Sequence, residues 1–361
     1  MTSKEMGALR SEIEKIDSDI LELIARRAEV SREIGLTKAK DGLETRDRSR
    51  EKAVIAQFAK RAKLLGVGTR LANDVAKLLI SDSVSIQEAG VERPLVGKTA
   101  LVVCGAGRMG EWFCRFLSNR GAEVAIWDPR GRLRGYESLK TMEWAAASSD
   151  IVVIASPLGV ASSELEIVLD SSPAGLVFDL CSVKSHIAAQ LREAAAGGFL
   201  ISSIHPMFGP KACSPKGKNV IVCDCGSKEA NDRVSQIFSS AGSHVSFTSL
   251  DTHDELMAYV LGLSHLCSLV FAGTIRASGK DIAQLRNVQG PSFKRMSSMA
   301  LELSNESKRV YHDIQALNPN TRKVVSSMEQ VLRELEKASL DADPARFAEI
   351  MRSNGEYLEV E

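Results

Sequence analysis

The stretch TALVVCGAGRMG, residues 99–110, constrains the fold more than any other part of this 361-residue chain. A run of apolar, partly β-branched residues enters a turn carrying Gly105, Gly107 and Gly110 in the spacing G-x-G-x-x-G, and a helical pattern follows. In that setting the first glycine permits a tight turn, the second lets the backbone approach a pyrophosphate, and the third lets the helix pack closely on a sheet. The next apolar run, AEVAIWD, ends at Asp128 and opens a βαβ unit. Further short apolar runs, DIVVIASP, GLVFDLCS, FLISSI, NVIVCD and HVSFTS, alternate with helical segments as far as residue 249. The pattern predicts an α/β Rossmann-like domain over residues 93–249, a doubly wound and mainly parallel sheet.

Both flanks read as helical. From Lys4 to Lys40, the residues Leu9, Ile13, Ile16, Ile20, Leu23, Ile24, Val30 and Ile34 recur at the spacing of one long amphipathic helix. Two more helical patterns, Arg50 to Leu65 and Thr69 to Glu88, are separated by the glycines of LLGVGT, so residues 1–92 read as an all-α three-helix domain. From Asp251 onward only helical patterns occur, and residues 250–361 read as a second all-α domain.

Forty-six basic residues balance forty-six acidic ones, so no overall field draws the chain to nucleic acid or to a membrane surface. The seven scattered cysteines offer one close pair, Cys223 and Cys225 in C-x-C, which is no metal spacing. Their odd number suggests reduced thiols. The amino terminus carries no apolar signal region and no later run is expected to span a bilayer, so a cytoplasmic location is expected.

The expected cofactor contacts are Gly105, Ala106, Gly107, Arg108, Met109 and Gly110, with Ser156 and Pro157 at the end of VIASPL. Asp128 closes the second strand, where a carboxylate can accept bonds from the adenosine ribose hydroxyls and repel a 2′-phosphate. That favours NAD. Arg130, Arg132 and Arg134 just beyond could instead hold the phosphate of NADP.

Open α/β sheets bind ligands at the carboxyl ends of their strands. FDLCSVK puts Asp179, Ser182 and Lys184 at such an end, and SIHPMFGP fixes His205 between a strand and two prolines. A neutral imidazole there can take a proton from a substrate hydroxyl as hydride leaves the same carbon, and Ser182 could orient the ring. His253 reads equally well as a cap near a helix start or as a functional group. Together GAGRMG, ASPL, FDLCSVK, SIHPMFGP and THDELMAYVLGLSHL resemble the prephenate dehydrogenase family, in family order. The resemblance implies that His205 hydrogen-bonds the hydroxyl of the prephenate ring with Ser182 beside it, that Lys184 and His265 lie near the substrate, and that the helical tail mediates dimerisation. The chain departs from the family at one place. Counted without gaps, the family's arginine for the ring carboxylate falls on Glu302, which cannot bind an anion, and Lys294 or Arg295 in GPSFKRM is the expected replacement.

In the first helix Arg27 lies on the apolar stripe, where an unpaired cation is costly, so it should meet an anion. Lys38 returns to almost the same face about 16 Å along the axis, so two long side chains could converge on one small dianion. Asp47, Arg50 and Glu51 sit near the start of the second helix, and Ser83 and Gln87 share a face of the third. ALRSEIEKID, ARRAEVSREIGLTK, RDRSRE and SDSVSIQ resemble the all-helical chorismate mutase family, whose active-site residues match Arg10, Arg27, Lys38, Asp47, Arg50, Glu51, Ser83 and Gln87. Arg10 lies about 25 Å from Arg27 along one helix, so one small ligand cannot meet both within a chain. An antiparallel partner helix would supply Arg10, in agreement with the intertwined dimer of that family.

The two resemblances together imply a bifunctional, homodimeric enzyme that acts on two small molecules, rearranging chorismate to prephenate and then oxidising prephenate with NAD to 4-hydroxyphenylpyruvate and CO2. Two alternatives remain: a monofunctional prephenate or arogenate dehydrogenase with a structural helical N-terminus, and an NAD(H) sensor without turnover. The first has no need of Arg27, Lys38, Arg50 and Gln87, and the second none of Ser182, Lys184 and His205.

Overall fold

A computed structural model of the chain describes residues 3–40, 47–91, 94–340 and 344–359. Three helices come first, α1 (Ser3–Lys40), α2 (Arg48–Leu65) and α3 (Thr69–Val91). Asp47 caps α2, and Gly66 ends it with φ 71°, its N–H bonding back to the Ala62 carbonyl. Both α1 and α2 pack on α3. The stripe of α1 is only partly used by that packing, for Leu9, Ile13, Ile16, Ile20 and Leu23 remain 48–66% exposed.

The strands are β1 (Thr99–Val103), β2 (Glu123–Trp127), β3 (Glu137–Ser138), β4 (Ile151–Ile154), β5 (Leu176–Asp179), β6 (Ile201–Pro206), β7 (Asn219–Asp224) and β8 (His244–Ser249). They form one sheet in the order β3-β2-β1-β4-β5-β6-β7-β8, and β1 with β2, β2 with β3 and β5 with β6 pair in parallel. Helices α4 (Arg108–Asn119), α5 (Glu143–Ser148), α6 (Leu158–Asp170), α7 (Ala188–Ala196) and α8 (Lys228–Ser239) connect them. This is the doubly wound architecture that the alternation predicts. β5 and β6 are buried throughout, as parallel strands covered on both faces are. β3 was not foreseen: two residues are too few to show a period.

The chain divides into two compact units, one of Met1–Val153, Pro206–Val220 and Ser235–Val245, the other of Ile154–His205, Ile221–Val234 and Ser246–Glu361. In the first, the Trp112 ring stacks on Phe116 at 5.1 Å, meets Phe208 at 5.0 Å and donates from Nε1 to the Ala212 carbonyl at 2.7 Å. Phe116 in turn stacks on Phe238 at 5.3 Å. The second unit is helical from Leu250 onward: α9 (Leu250–Met257), a π-helical turn at Ala258–Leu263, α10 (Ser264–Ala277), α11 (Ile282–Asn287), α12 (Pro291–Ser304), α13 (Lys308–Leu317), α14 (Thr321–Leu340) and α15 (Ala345–Leu358). The π-turn leaves the Gly262 carbonyl to accept from Gln315 Nε2 at 3.0 Å.

One expectation needs correction. Leu250–Ala277 is long and apolar enough, by length and composition, to cross a membrane. Its first turns bury His253 and Asp254 within the second unit, polar groups whose partners there are protein atoms.

Candidate active sites

The glycine loop is a cradle that side chains would fill. A Cβ on Gly105 would lie 2.5 Å from Ile126 Cγ2, and one on Gly110 would lie 2.4 Å from the Cys104 carbonyl oxygen. A Cβ on Gly107 would meet the same oxygen at 3.3 Å. The left-handed residue of the turn is Cys104, φ 58°, rather than a glycine. Cys104 and Gly105 donate to the Trp127 carbonyl. The first-turn N–H groups of Met109 and Gly110, which have no intrahelical acceptor, are donors that a pyrophosphate would meet. The cradle therefore fits a dinucleotide.

Asp128 does more than expected. Its Oδ2 accepts from the Ala106 N–H at 3.1 Å and its Oδ1 from the Arg130 N–H at 2.8 Å, with the side chain only 1% exposed. The carboxylate thus pins the glycine loop to the end of β2 before any ribose is considered. Ser156 is also committed: its hydroxyl donates to the buried Glu164 carboxylate, which withdraws it as a hydroxyl contact for a cofactor. Pro157 caps α6 without a side-chain bond.

His205 sits in the last turn of β6, buried, and its Nδ1 lies 3.0 Å from His253 Nε2. His253 Nδ1 lies 2.8 Å from Asp254 Oδ1. Asp254 further accepts from the Lys184 N–H at 2.8 Å, the Ser185 N–H at 2.7 Å and the Ser185 hydroxyl. Asn318 Nδ2 holds the Asp254 carbonyl at 2.8 Å. Burial and the neighbouring His253 keep the His205 imidazole well below its ordinary range. Burial alone would raise the Asp254 carboxyl, but its hydrogen bonds from His253, Ser185 and Lys184 hold it below the ordinary carboxylate value.

Ser182 is half-buried and makes no side-chain hydrogen bond among the described residues, and the ring nitrogen next to His205 Nδ1 is that of His253. Lys184 is fully buried, its Nζ spent on Asp179 Oδ1 at 2.7 Å and the Ile204 carbonyl at 2.8 Å. It ties the end of β5 to the residue before His205. Burial would lower this ammonium, yet the Asp179 carboxylate raises it above its ordinary value.

His265 opens α10, its ring 4.5 Å edge-on from Tyr311 and its Nδ1 buried without a partner. Lys294 and Arg295 are exposed on α12, which packs on α10, and neither has a side-chain partner among the described residues. Arg309 on α13 stands beside Gly159. Its Nη2 lies 2.9 Å from where a Cβ on Gly159 would stand, and its Nε is held by both Asp313 oxygens at 2.9 and 2.8 Å. Only the i,i+4 spacing to Asp313 could have drawn notice to it.

Burial holds His186, His205, His253 and His265 below the ordinary 6.5. Below that value the unfolded chain binds protons that the folded chain refuses, so folding stability is full above pH 6.5 and falls as pH drops through it. Calorimetry should show the melting temperature declining between about pH 6.5 and 5, before carboxylates titrate. A constant value across that window would contradict the burial of these rings.

In the helical domain Arg27 Nη1 donates to the Leu79 carbonyl at 2.7 Å and to the Ser83 hydroxyl, and Ser83 is 2.8 Å from Ser31 Oγ. Arg27 thus meets a carbonyl and a hydroxyl of α3 rather than a protein anion. Its Nε and Nη2 make no hydrogen bond among the described residues. Ser83 and Gln87 are buried on one face of α3, and Gln87 Oε1 has no partner. Gly35 makes this possible, since a Cβ there would lie 2.7 Å from Gln87 Cα. Asp47 proves to be the N-cap of α2, accepting from the Ser49 hydroxyl at 2.7 Å and the Arg50 N–H at 2.9 Å. Those bonds and the charge of Lys38 lower its carboxyl. It fixes the first turn of α2, which carries Arg50 and Glu51. Arg10 is exposed on α1, far along the helix from Arg27.

Sequence profiles match three stretches of the chain. Chorismate mutase type II matches residues 9–88. The nucleotide-binding domain of prephenate dehydrogenase matches residues 135–246, and its dimerization domain residues 249–355. The T-protein of Enterobacter agglomerans is 26% identical over 312 residues, 86% of this chain and 81% of that one. The T-protein of Haemophilus influenzae is 25% identical over 331 residues, 90% of this chain and 85% of that one. The crystal structure of prephenate dehydrogenase from A. aeolicus in complex with hydroxyphenyl propionate and NAD+ shares the fold, with TM-score 0.60 at 20% identity over 73% of this chain and 98% of that one.

Proposed function

We propose that this chain, which belongs to the family joining a type II chorismate mutase to a prephenate dehydrogenase, rearranges chorismate to prephenate and then oxidises prephenate with NAD, two steps toward tyrosine. The observation that carries the dehydrogenase half is His205, a buried imidazole held well below its ordinary range, for whose Nε2 no hydrogen bond is found among the described residues. That nitrogen takes the proton of the ring hydroxyl as the carbon bearing it becomes a carbonyl. NAD, bound over Arg108–Gly110, supplies the hydride acceptor. Loss of CO2 with aromatisation makes the step irreversible, and His265 and Ser182 contact the substrate near His205. Lys294 or Arg295 holds the ring carboxylate, and Arg309, brought against Gly159, is the second candidate for that anion.

The rearrangement is pericyclic and needs no acid or base. Arg27, Arg50 and an Arg10 from a second copy of the chain hold the substrate carboxylates in the compact conformer. Lys38 and Gln87, the latter with an unpaired oxygen in a buried setting, stabilise charge on the breaking ether oxygen. A homodimer suits the exposed stripe of α1 and the dimerization profile over residues 249–355. Small charged substrates and NAD suit a cytoplasmic enzyme.

Purified protein should form NADH only when prephenate is present; no prephenate-dependent NADH would refute the dehydrogenase reading. Asp128→Asn keeps one acceptor for the Ala106 N–H but removes the charge that repels a 2′-phosphate. Its kcat/KM ratio should therefore move toward NADP by about tenfold, the scale of 1.4 kcal/mol. A wild type that already prefers NADP would transfer the phosphate to Arg130 or Arg132.

A further inference from the structure

Resting on the dehydrogenase reading, we propose that His253 and Asp254 are positioning residues that set the tautomer of His205, placing its proton on Nδ1 and leaving Nε2 as the base. The distances define the order of donors. The Asp254 carboxylate accepts only, so His253 must present Nδ1–H to Oδ1 at 2.8 Å. A neutral His253 then has a lone pair on Nε2, and this can only accept from His205 Nδ1–H across 3.0 Å. The opposite arrangement would aim the Nδ1 lone pair of His253 at a carboxylate.

Asp254 is suited to this part because the Lys184 and Ser185 amides and the Ser185 hydroxyl fix it in place. It is 1% exposed and its carboxyl is held low, so it stays an acceptor while His205 gains and loses its proton. The other charged groups near His205 are Lys184 and Asp179, paired with each other at 2.7 Å. When His205 takes the substrate proton on Nε2, the imidazolium keeps its Nδ1–H bond to His253, which Asp254 backs. Nothing else in the cluster offers His205 Nδ1 an acceptor, Ser182 included.

Nitrogen-15 NMR of the imidazoles in the intact, substrate-free protein reads the tautomer directly and without turnover. His205 and His253 should each show a protonated Nδ1 and an unprotonated Nε2. Protonation of His205 at Nε2 overturns the proposal. In kinetics, His253→Phe should lower dehydrogenase kcat about 10²-fold, the lower end for losing a set acid–base group, with KM for prephenate and for NAD within about twofold. His253→Gln, whose Oε1 can accept the same Nδ1–H, should return kcat to within about tenfold of wild type. A purely structural role predicts no such rescue, and circular dichroism and melting temperature close to wild type report that the variants are folded. An unimpaired His253→Phe, or a Gln variant no better than Phe, overturns the relay. If the wild type makes no NADH from prephenate, the dehydrogenase reading fails instead; if His205→Asn is inactive while His253→Phe is not, only the relay fails.

Discussion

His205→Asn lowers dehydrogenase kcat by roughly 10²-fold or more, the usual scale for removing an acid–base group, while mutase turnover and NAD affinity stay near wild type. Asparagine is close in size to the imidazole and can hydrogen-bond at the same place, but it cannot take a proton. The backbone that presents it is held independently, since Lys184 bonds the Ile204 carbonyl and β6 pairs with β5. The mutase residues lie on other elements, α1 to α3, so mutase turnover is expected to stay unchanged. Separate assays with prephenate and with chorismate check both halves, and an almost fully active variant with prephenate removes His205 from the chemistry.

Arg10→Ala and Arg27→Ala should each lose mutase activity by about 10²–10³-fold, as when one charge-stabilising donor is taken from a preorganised site. The reason differs for the two. Arg27 is already aimed, with Nη1 anchored on Leu79 and Ser83 of α3, so its loss removes a fixed fork. Arg10 stands exposed on the part of α1 whose stripe is uncovered in a single chain. Mixing the two inactive variants under conditions that exchange subunits should restore about a quarter of wild-type activity, because half the dimers are mixed and one of their two sites is intact. No recovery despite demonstrated exchange would place both arginines in one chain's site and remove the shared helix.

How far the residues alone reached is clearest from where they failed. The long stripe of α1, the glycine turn and the strand before His205 carry strong periods or fixed spacings, and these were legible because local sequence dictates them. The burial of Lys184 was not legible because it depends on a partner from the strand end, and the Asp179 five residues before it was the available clue. Asp47 followed by Ser49 is a capping pattern, and Asp47 caps α2. Ser156 lost its expected freedom to Glu164, one face of α6 away. The His205–His253 contact spans 48 residues and joins a strand end to a helix start, so no local period could announce it. The π-turn at Ala258–Leu263 likewise left no signal in composition.

The most direct test of two chemistries on one chain is to give the purified protein chorismate first and NAD second, following chorismate, prephenate and NADH together. The account predicts that chorismate is consumed without NAD and accumulates as prephenate, and that adding NAD then yields NADH and CO2 in equal amounts as prephenate disappears. Chorismate left untouched while supplied prephenate still yields NADH would contradict it, reducing residues 1–92 to a structural role.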